Sequence, residues 1–521
     1  MARPVCLLEA VLLAVAFAVA HTQSPLYYSN QNQYLLHGAA LAHHGHLSAD
    51  WLATTTDPTP LFSALAAGAF ALHPFLLQVA HFALLMGYFL AARSLARAVP
   101  GVPDTRAARL AFAALFTAAH AGVLRWASVR LAGVDYPWYL QAGVAAQYLI
   151  GPGIQPSAFG VLLLGACAAL AHGRARTACA LAALTCWFHA TYLLPAALVV
   201  LGTMYALARG GNWRSALACG ALALVLVVPP VAYSLWHFSP FAAESAEAQR
   251  VLALVRIPHH CVVARWFDGV AVAQLAWVAL GLLLLCGTAL GRALAVAALG
   301  GTLLTLAVAG READAPGFAL AFPWRVSVLL VPVATIAVCA KLLALKPPGA
   351  RGAALAGAAL GALVAGGVCV TAFGIGYSTV KEEEPLYAWA REYAGPADVF
   401  LIPTAFPKVS SGRGAVSNTF APPPRANPDT NQIPVDLQRF RLAGGARLYV
   451  DFKSVPYAAA EVLEWQRRMR FAVEVYGGAW SVEALKREGV THVVAPAHKV
   501  PALPGATEAY RDAAYVVLRL P

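Results

Sequence analysis

The feature that most constrains this chain is a succession of apolar runs, from near its start to residue 377. They cover roughly 5–20, 61–91, 107–124, 157–172, 178–190, 191–208, 215–236, 269–290, 293–309, 324–342 and 352–377. A bilayer core about 30 Å thick takes roughly 20 helical residues to cross, so these runs predict about eleven spans. The stretch 178–208 fits one long helix or two tight ones. Of the 521 residues, 60% are hydrophobic and 12% charged, and the mean hydropathy is +0.63. Soluble domains are nearer a quarter charged. No water-soluble core absorbs this much apolar sequence, which excludes disordered, collagen-like and coiled-coil chains. The expected fold is a mainly α-helical polytopic membrane protein of about eleven spans, with a small C-terminal α/β extracytoplasmic domain.

Charge divides the chain at residue 377. Residues 378–521 hold 17 of the 37 Lys and Arg and 15 of the 25 Asp and Glu, the balance of an ordinary soluble domain. The expected domains are therefore 1–377, membrane-embedded with a long first outer loop at 21–60, and 378–521, outside the bilayer. Basic residues set the orientation. Arg3, Arg93, Arg97, Arg106, Arg109, Arg174, Arg176, Arg209, Arg214, Arg292, Lys341, Lys346 and Arg351 fall on one side with Asp104. The opposite loops carry Asp50, Asp57, Asp135, Glu244, Glu247, Asp268, Glu312 and Asp314. The basic side is read as cytoplasmic, so the net charge of +12 reflects topology and no nucleic-acid partner is expected. Ala18-Val19-Ala20 resembles a signal-peptidase site, but a retained first helix gives the better alternation of loops. The Ala/Gly/Arg-rich composition fits a high-GC bacterium and its inner membrane. Eight of the nine cysteines lie in apolar runs and only Cys261 in a loop, so no disulfide framework is expected.

In the tail, strand patterns at 399–403, 447–452, 492–495 and 515–520 alternate with helical ones at 381–393, 458–475 and 481–488. A long loop occupies 410–434. The segment carries no Walker loop, GxGxxG fingerprint or CxxC pair.

Three groups of polar residues invite chemistry. The first outer loop has no Lys or Arg, but holds Asp50 and Asp57. Either suits a general base towards a hydroxyl, or a ligand for a divalent metal. Asp57 before Pro58 also fits a helix cap. His43, His44 and His46 are a weak metal pattern, with a solvated helix as the competing reading. Near 250–265, Arg256, His259, His260 and Arg265 gather positive charge on the side that the topology disfavours. With Arg325 at the mouth of a later span, they suit a phosphate, or ion pairs to the acidic loops. His189 is a polar residue near a span end, as apt for an interhelical hydrogen bond. Arg441, Arg447, Asp451 and Lys453 read as a surface salt-bridge network.

The segments SNQNQYLLHG, DWLATTTDPTPLF, QYLIGPGIQPSAFG, FHATYLLPA, RIPHH with RWF, FPWRVSVLLVP and FRLAGGARLYVDFKSVPY carry a resemblance. They look like an uncharacterised bacterial family of polytopic membrane proteins, known as a domain of unknown function. More distantly, the layout resembles the C-superfamily of membrane glycosyltransferases. That resemblance implies a polyprenyl-phosphate sugar as the lipid-linked donor and sugar transfer on the outer face. It also implies an Asp of the first outer loop, here Asp50 or Asp57, as base or metal-linked residue. The alternatives are a transporter or flippase of a lipid-linked or anionic solute, and a non-catalytic scaffold. No internal repeat supports a transporter.

Overall fold

The computed structural model describes residues 4–239, 243–377, 381–406, 437 and 439–521. The loop expected at 410–434 lies outside these. Helices dominate up to residue 372. Among the described residues, six are long and apolar enough to cross a membrane: Leu76–Arg97, Ala190–Arg209, Trp213–His237, Ala289–Val308, Pro316–Leu345 and Ala350–Ala372. Counting Arg106–Ala118 with Gly122–Ala132, a pair bent by 44°, gives a seventh. This corrects the expectation of about eleven spans. The first helix, Pro4–His21, has 18 residues and is not counted among the six. The other remaining apolar runs, of 11–16 residues, form helices too short for a 30 Å core at about 1.5 Å per residue. They are Pro60–Leu72, Pro156–Ala171, Ala175–Thr185 and Gly269–Leu284. The 178–208 stretch is two helices, broken where His189 accepts from the backbone N–H of Thr191.

Burial orders the helices. Pro316–Leu345 is the central one, with 72% of its apolar window inside the protein, against 17% for Trp213–His237 and 22% for Ala350–Ala372. The two peripheral helices present Leu224, Val225, Leu235 and Leu355 outward. Such a surface is stable only against lipid or another apolar face.

The C-terminal part is built on a five-stranded sheet: β1 (Val399–Leu401), β2 (Arg447–Leu448), β3 (His492–Pro496), β4 (Thr507–Arg511) and β5 (Tyr515–Arg519). The strand order is β2-β1-β3-β5-β4. β1 pairs in parallel with β2 and β3, and β5 antiparallel with β3 and β4. β4 is mostly exposed, so it has no buried apolar run by which to find it in the sequence. β2 is shorter than 447–452 suggests, because Asp451 and the residues after it turn away to make contacts outside the sheet. Helices Glu384–Tyr393, Ala459–Tyr476 and Val482–Arg487 follow the sequence pattern, the last with Ser481 capping Ala484 N–H. Trp465, Met469 and Leu485 bury against the sheet together with Val251 and Leu252 from the 245–256 segment. The membrane-side loops are therefore part of this core.

Candidate functional site

The first loop and the tail are joined along a polar seam. Asp50 is fully buried. Its Oδ1 accepts from the backbone N–H of Leu52 and Ala53, and its Oδ2 from Arg441 Nε at 3.0 Å and from Leu448 N–H at 2.8 Å. Arg441 also pairs with Asp451. Gln33 exchanges two 2.7 Å hydrogen bonds with the backbone of Val455. Ser454 Oγ donates to Asn32 O, and Thr56 donates twice to Glu461. His44 bonds the carbonyl of Leu442 and His46 that of Ala394. These rings serve the seam, and no group of three His, Cys, Asp or Glu among the described residues is placed to hold a metal. The Arg441, Asp451 and Lys453 network is thus not on the surface: its first pair is buried in the seam.

Asp50 has no acceptor position left for a substrate hydroxyl or a metal, because four donors surround it. Asp57 differs. It does not cap the following helix itself: that helix, Pro60–Leu72, has Thr59 at the cap, two residues later. Asp57 Oδ1 accepts from Thr59 N–H at 2.8 Å and lies 4.0 Å from His37 Nδ1. Its Oδ2 accepts no hydrogen bond among the described residues, and the side chain is 19% exposed.

At the same seam, cations from three parts of the chain converge. Arg256 donates to the carbonyl of Lys453 and lies over the Phe452 ring at 5.0 Å. Lys453 Nζ donates to Asn30 Oδ1 at 2.7 Å. Arg325 lies over the Tyr192 ring at 5.0 Å. The His259 and His260 rings lie 4.1 Å apart between centroids, tilted by 50°, and His260 Nδ1 bonds Ala145 O. Electrostatic reach ties the group together. His259 feels Arg256 and Lys453, His260 feels Arg325 and Lys453, and Tyr457 feels both arginines. Tyr34, within electrostatic reach of Tyr457, packs edge-on against His189.

Among the described residues, Arg256, Arg325 and Lys453 form no ion pair, and the Nε atoms of both arginines are buried without an acceptor. The nearest acid, Asp451, is spent on Arg441 and on Ser454 N–H. Unpaired cations brought together out of bulk water are costly, and an anion relieves that cost. The electrostatics of the buried groups follow the same pattern. Burial, reinforced by Arg256 and opposed by Asp451, pushes Lys453 down to about 7. Burial, then Arg256 and Lys453, pushes His259 down to about 4, and His260 also lies well below its ordinary value. Both histidines are therefore neutral hydrogen-bonding groups at neutral pH.

Of the residues singled out in the sequence for phosphate, the structure brings Arg256, His259, His260 and Arg325 together. Arg265 lies on the next short helix, Val263–Trp266. Sequence reasoning missed Lys453, Tyr34 and Tyr457 as members. Lys453 sits two residues from Asp451, in a sequence that also holds Arg441 and Arg447 and so looks like a surface network.

A family model described as a domain of unknown function, DUF6798, matches residues 429–472. The match takes in Arg441, Asp451 and Lys453, the tail's share of the seam. No curated protein matches the chain.

Proposed function

We propose that this protein is a membrane glycosyltransferase-like enzyme of the bacterial inner membrane, with its tail outside the cytoplasm. It seats the phosphate of a polyprenyl-phosphate sugar among Arg256, Lys453 and Arg325. The observation that carries the reading is this convergence of three cations without a carboxylate partner. Arginines offer forked donors to phosphate oxygens, and Lys453 adds a point charge. The group lies where the membrane helices meet the tail, so a lipid phosphate would reach it from the bilayer while an acceptor enters from water.

In the transfer, an acceptor hydroxyl oxygen bonds the anomeric carbon as the bond from that carbon to the phosphate oxygen breaks. The electron pair leaves with the polyprenyl phosphate, whose growing negative charge the cations stabilise. The hydroxyl proton goes to a carboxylate. Asp57 is the residue of the first loop whose Oδ2 is open for it, whereas Asp50 acts as the structural anchor.

The test is turnover of polyprenyl-phosphate sugars by the protein in lipid nanodiscs. Transfer or release of sugar, lost in Asp57→Asn with donor binding kept, supports the reading. Donor binding without turnover across a broad panel moves the assignment to a carrier of lipid-linked phosphates. Absence of both leaves a scaffold.

A further inference from the structure

Four arginines and two acids meet at the end of the helices away from the tail. The helix Leu76–Arg97 starts beside the tail, since Leu77 packs in one cluster with Leu442. Twenty residues later, about 30 Å along its axis, it ends at Arg97. There, Glu9 of the first helix accepts from Arg109 Nε at 3.0 Å and Nη2 at 2.8 Å. Asp104 accepts from Arg97 Nη2 at 2.8 Å and from Arg109 Nη1 at 3.1 Å. Both acids are thereby spent on Arg97 and Arg109.

Arg93 and Arg106 are left over. Arg93 is within electrostatic reach of Arg97, Arg109, Glu9 and Asp104, and Arg106 of Glu9. Neither forms an ion pair among the described residues. Arg93 is only 8% exposed, and its Nε is buried without an acceptor. Snorkelling does not account for this, because a snorkelling arginine sets its guanidinium in water. A cation held beside other arginines and out of water is costly, and an anion offsets that cost. Apolar surface adjoins the charges. Leu90, one turn before Arg93 on the same helix face, is exposed, as are Leu7 and Leu8 next to Glu9.

We propose that this cluster seats the phosphodiester headgroup of an anionic phospholipid. Arg93 and Arg106 donate to the phosphate oxygens, and the acyl chains lie along the exposed leucines. A lipid fits better than free phosphate because the arginines sit at a helix end with outward-facing leucines beside them. The inference goes beyond the sugar-transfer reading and does not depend on it, since Arg93 lies at the opposite end of its helix from the tail and none of these residues belongs to the Arg256–Lys453–Arg325 group.

The test is native mass spectrometry of the full-length, delipidated protein in detergent, titrated with dioleoyl-phosphatidylglycerol or dioleoyl-phosphatidylcholine. The first phosphatidylglycerol should bind at least tenfold more tightly than phosphatidylcholine. Arg93→Gln and Arg106→Gln should each weaken it by about tenfold, the equivalent of one charge-assisted hydrogen bond. Arg214→Gln, which removes an exposed arginine at the start of the Trp213–His237 helix, should not. Lys453→Ala should not either, which scores this seat apart from the one at the tail. Thermal unfolding checks that each variant is folded, and Arg106, being exposed, carries the test if Arg93→Gln does not fold. Equal affinity for the two lipids, or undiminished affinity in the folded arginine variants, overturns the proposal. So does an equal loss in Arg214→Gln, which would reduce the effect to general surface charge. Displacement of the lipid by millimolar inorganic phosphate also overturns it, because the seat would then take the free anion.

Discussion

Asp50 and Arg441, 391 positions apart, form a buried ion pair with 3.0 Å between Oδ2 and Nε. The pair fastens the first loop to the start of the sheet, since the same Oδ2 takes the Leu448 N–H. Arg441→Leu leaves Asp50 and Asp451 buried with no cation between them. Breaking a buried pair in this way costs about 3–5 kcal/mol. Thermal unfolding in nanodiscs should show a large drop in midpoint and faster proteolysis of the tail. A midpoint within a degree of the parent would mean that the seam contributes nothing to the fold.

Gly45 and Gly445 meet across the same seam. A Cβ on Gly45 would fall 2.3 Å from Gly445 O, the acceptor of the His46 N–H, and Gly45 already has a φ of 56°. Gly45→Ala should therefore destabilise by about 1–3 kcal/mol, with the left-handed backbone and the close approach both contributing. Ala at Gly357, where a side chain meets open space, is the control and should cost nothing measurable by the same unfolding assay.

Lys453 gives the anion site a pH dependence. Its ammonium is held near 7, below the ordinary lysine value, by burial and by Arg256, so the free site loses that charge as pH rises through about 7. Binding of a phosphodiester, which keeps one charge throughout, should be strongest at pH 6 and weaken by several-fold per pH unit above 8. Proton uptake should accompany binding between pH 7 and the ordinary lysine range, because a bound anion restores the charged form. Lys453→Arg should bind with no such slope between pH 6 and 9. Isothermal titration in buffers of different ionisation enthalpy reads both effects.

Arg256→Lys and Arg325→Lys keep a charge but lose the planar fork. Each should weaken phosphate binding by roughly tenfold, about one charge-assisted hydrogen bond, without lowering the unfolding midpoint. An affinity unchanged in both would show that only charge matters at the seat.

Much of this was legible in the sequence, for identifiable reasons. The long apolar helices, the buried strands β1, β3 and β5, and the misplaced basic residues 256–260 and 325 each carry a local signal of hydropathy or charge. Span number was not so legible, because an apolar run such as 178–190 yields an eleven-residue helix when His189 and the turn before it interrupt the backbone. β4 was missed because its residues are mostly exposed. Asp50 looked like a catalytic base or metal ligand because its partner, Arg441, comes from the far end of the chain. Lys453 looked like a surface residue for the same reason, since its contacts with Asn30 and Arg256 are nonlocal.

The most direct test of the central claim is equilibrium binding of a short-chain polyprenyl-phosphate sugar to the protein in nanodiscs, beside Arg256→Ala, Lys453→Ala and Arg325→Ala. Saturable binding by the parent, weakened at least tenfold in each folded variant and unaffected in Arg214→Ala at the start of the Trp213–His237 helix, is the predicted result. Binding of equal strength in the parent and all three variants, or none in the parent at any donor concentration, would contradict it.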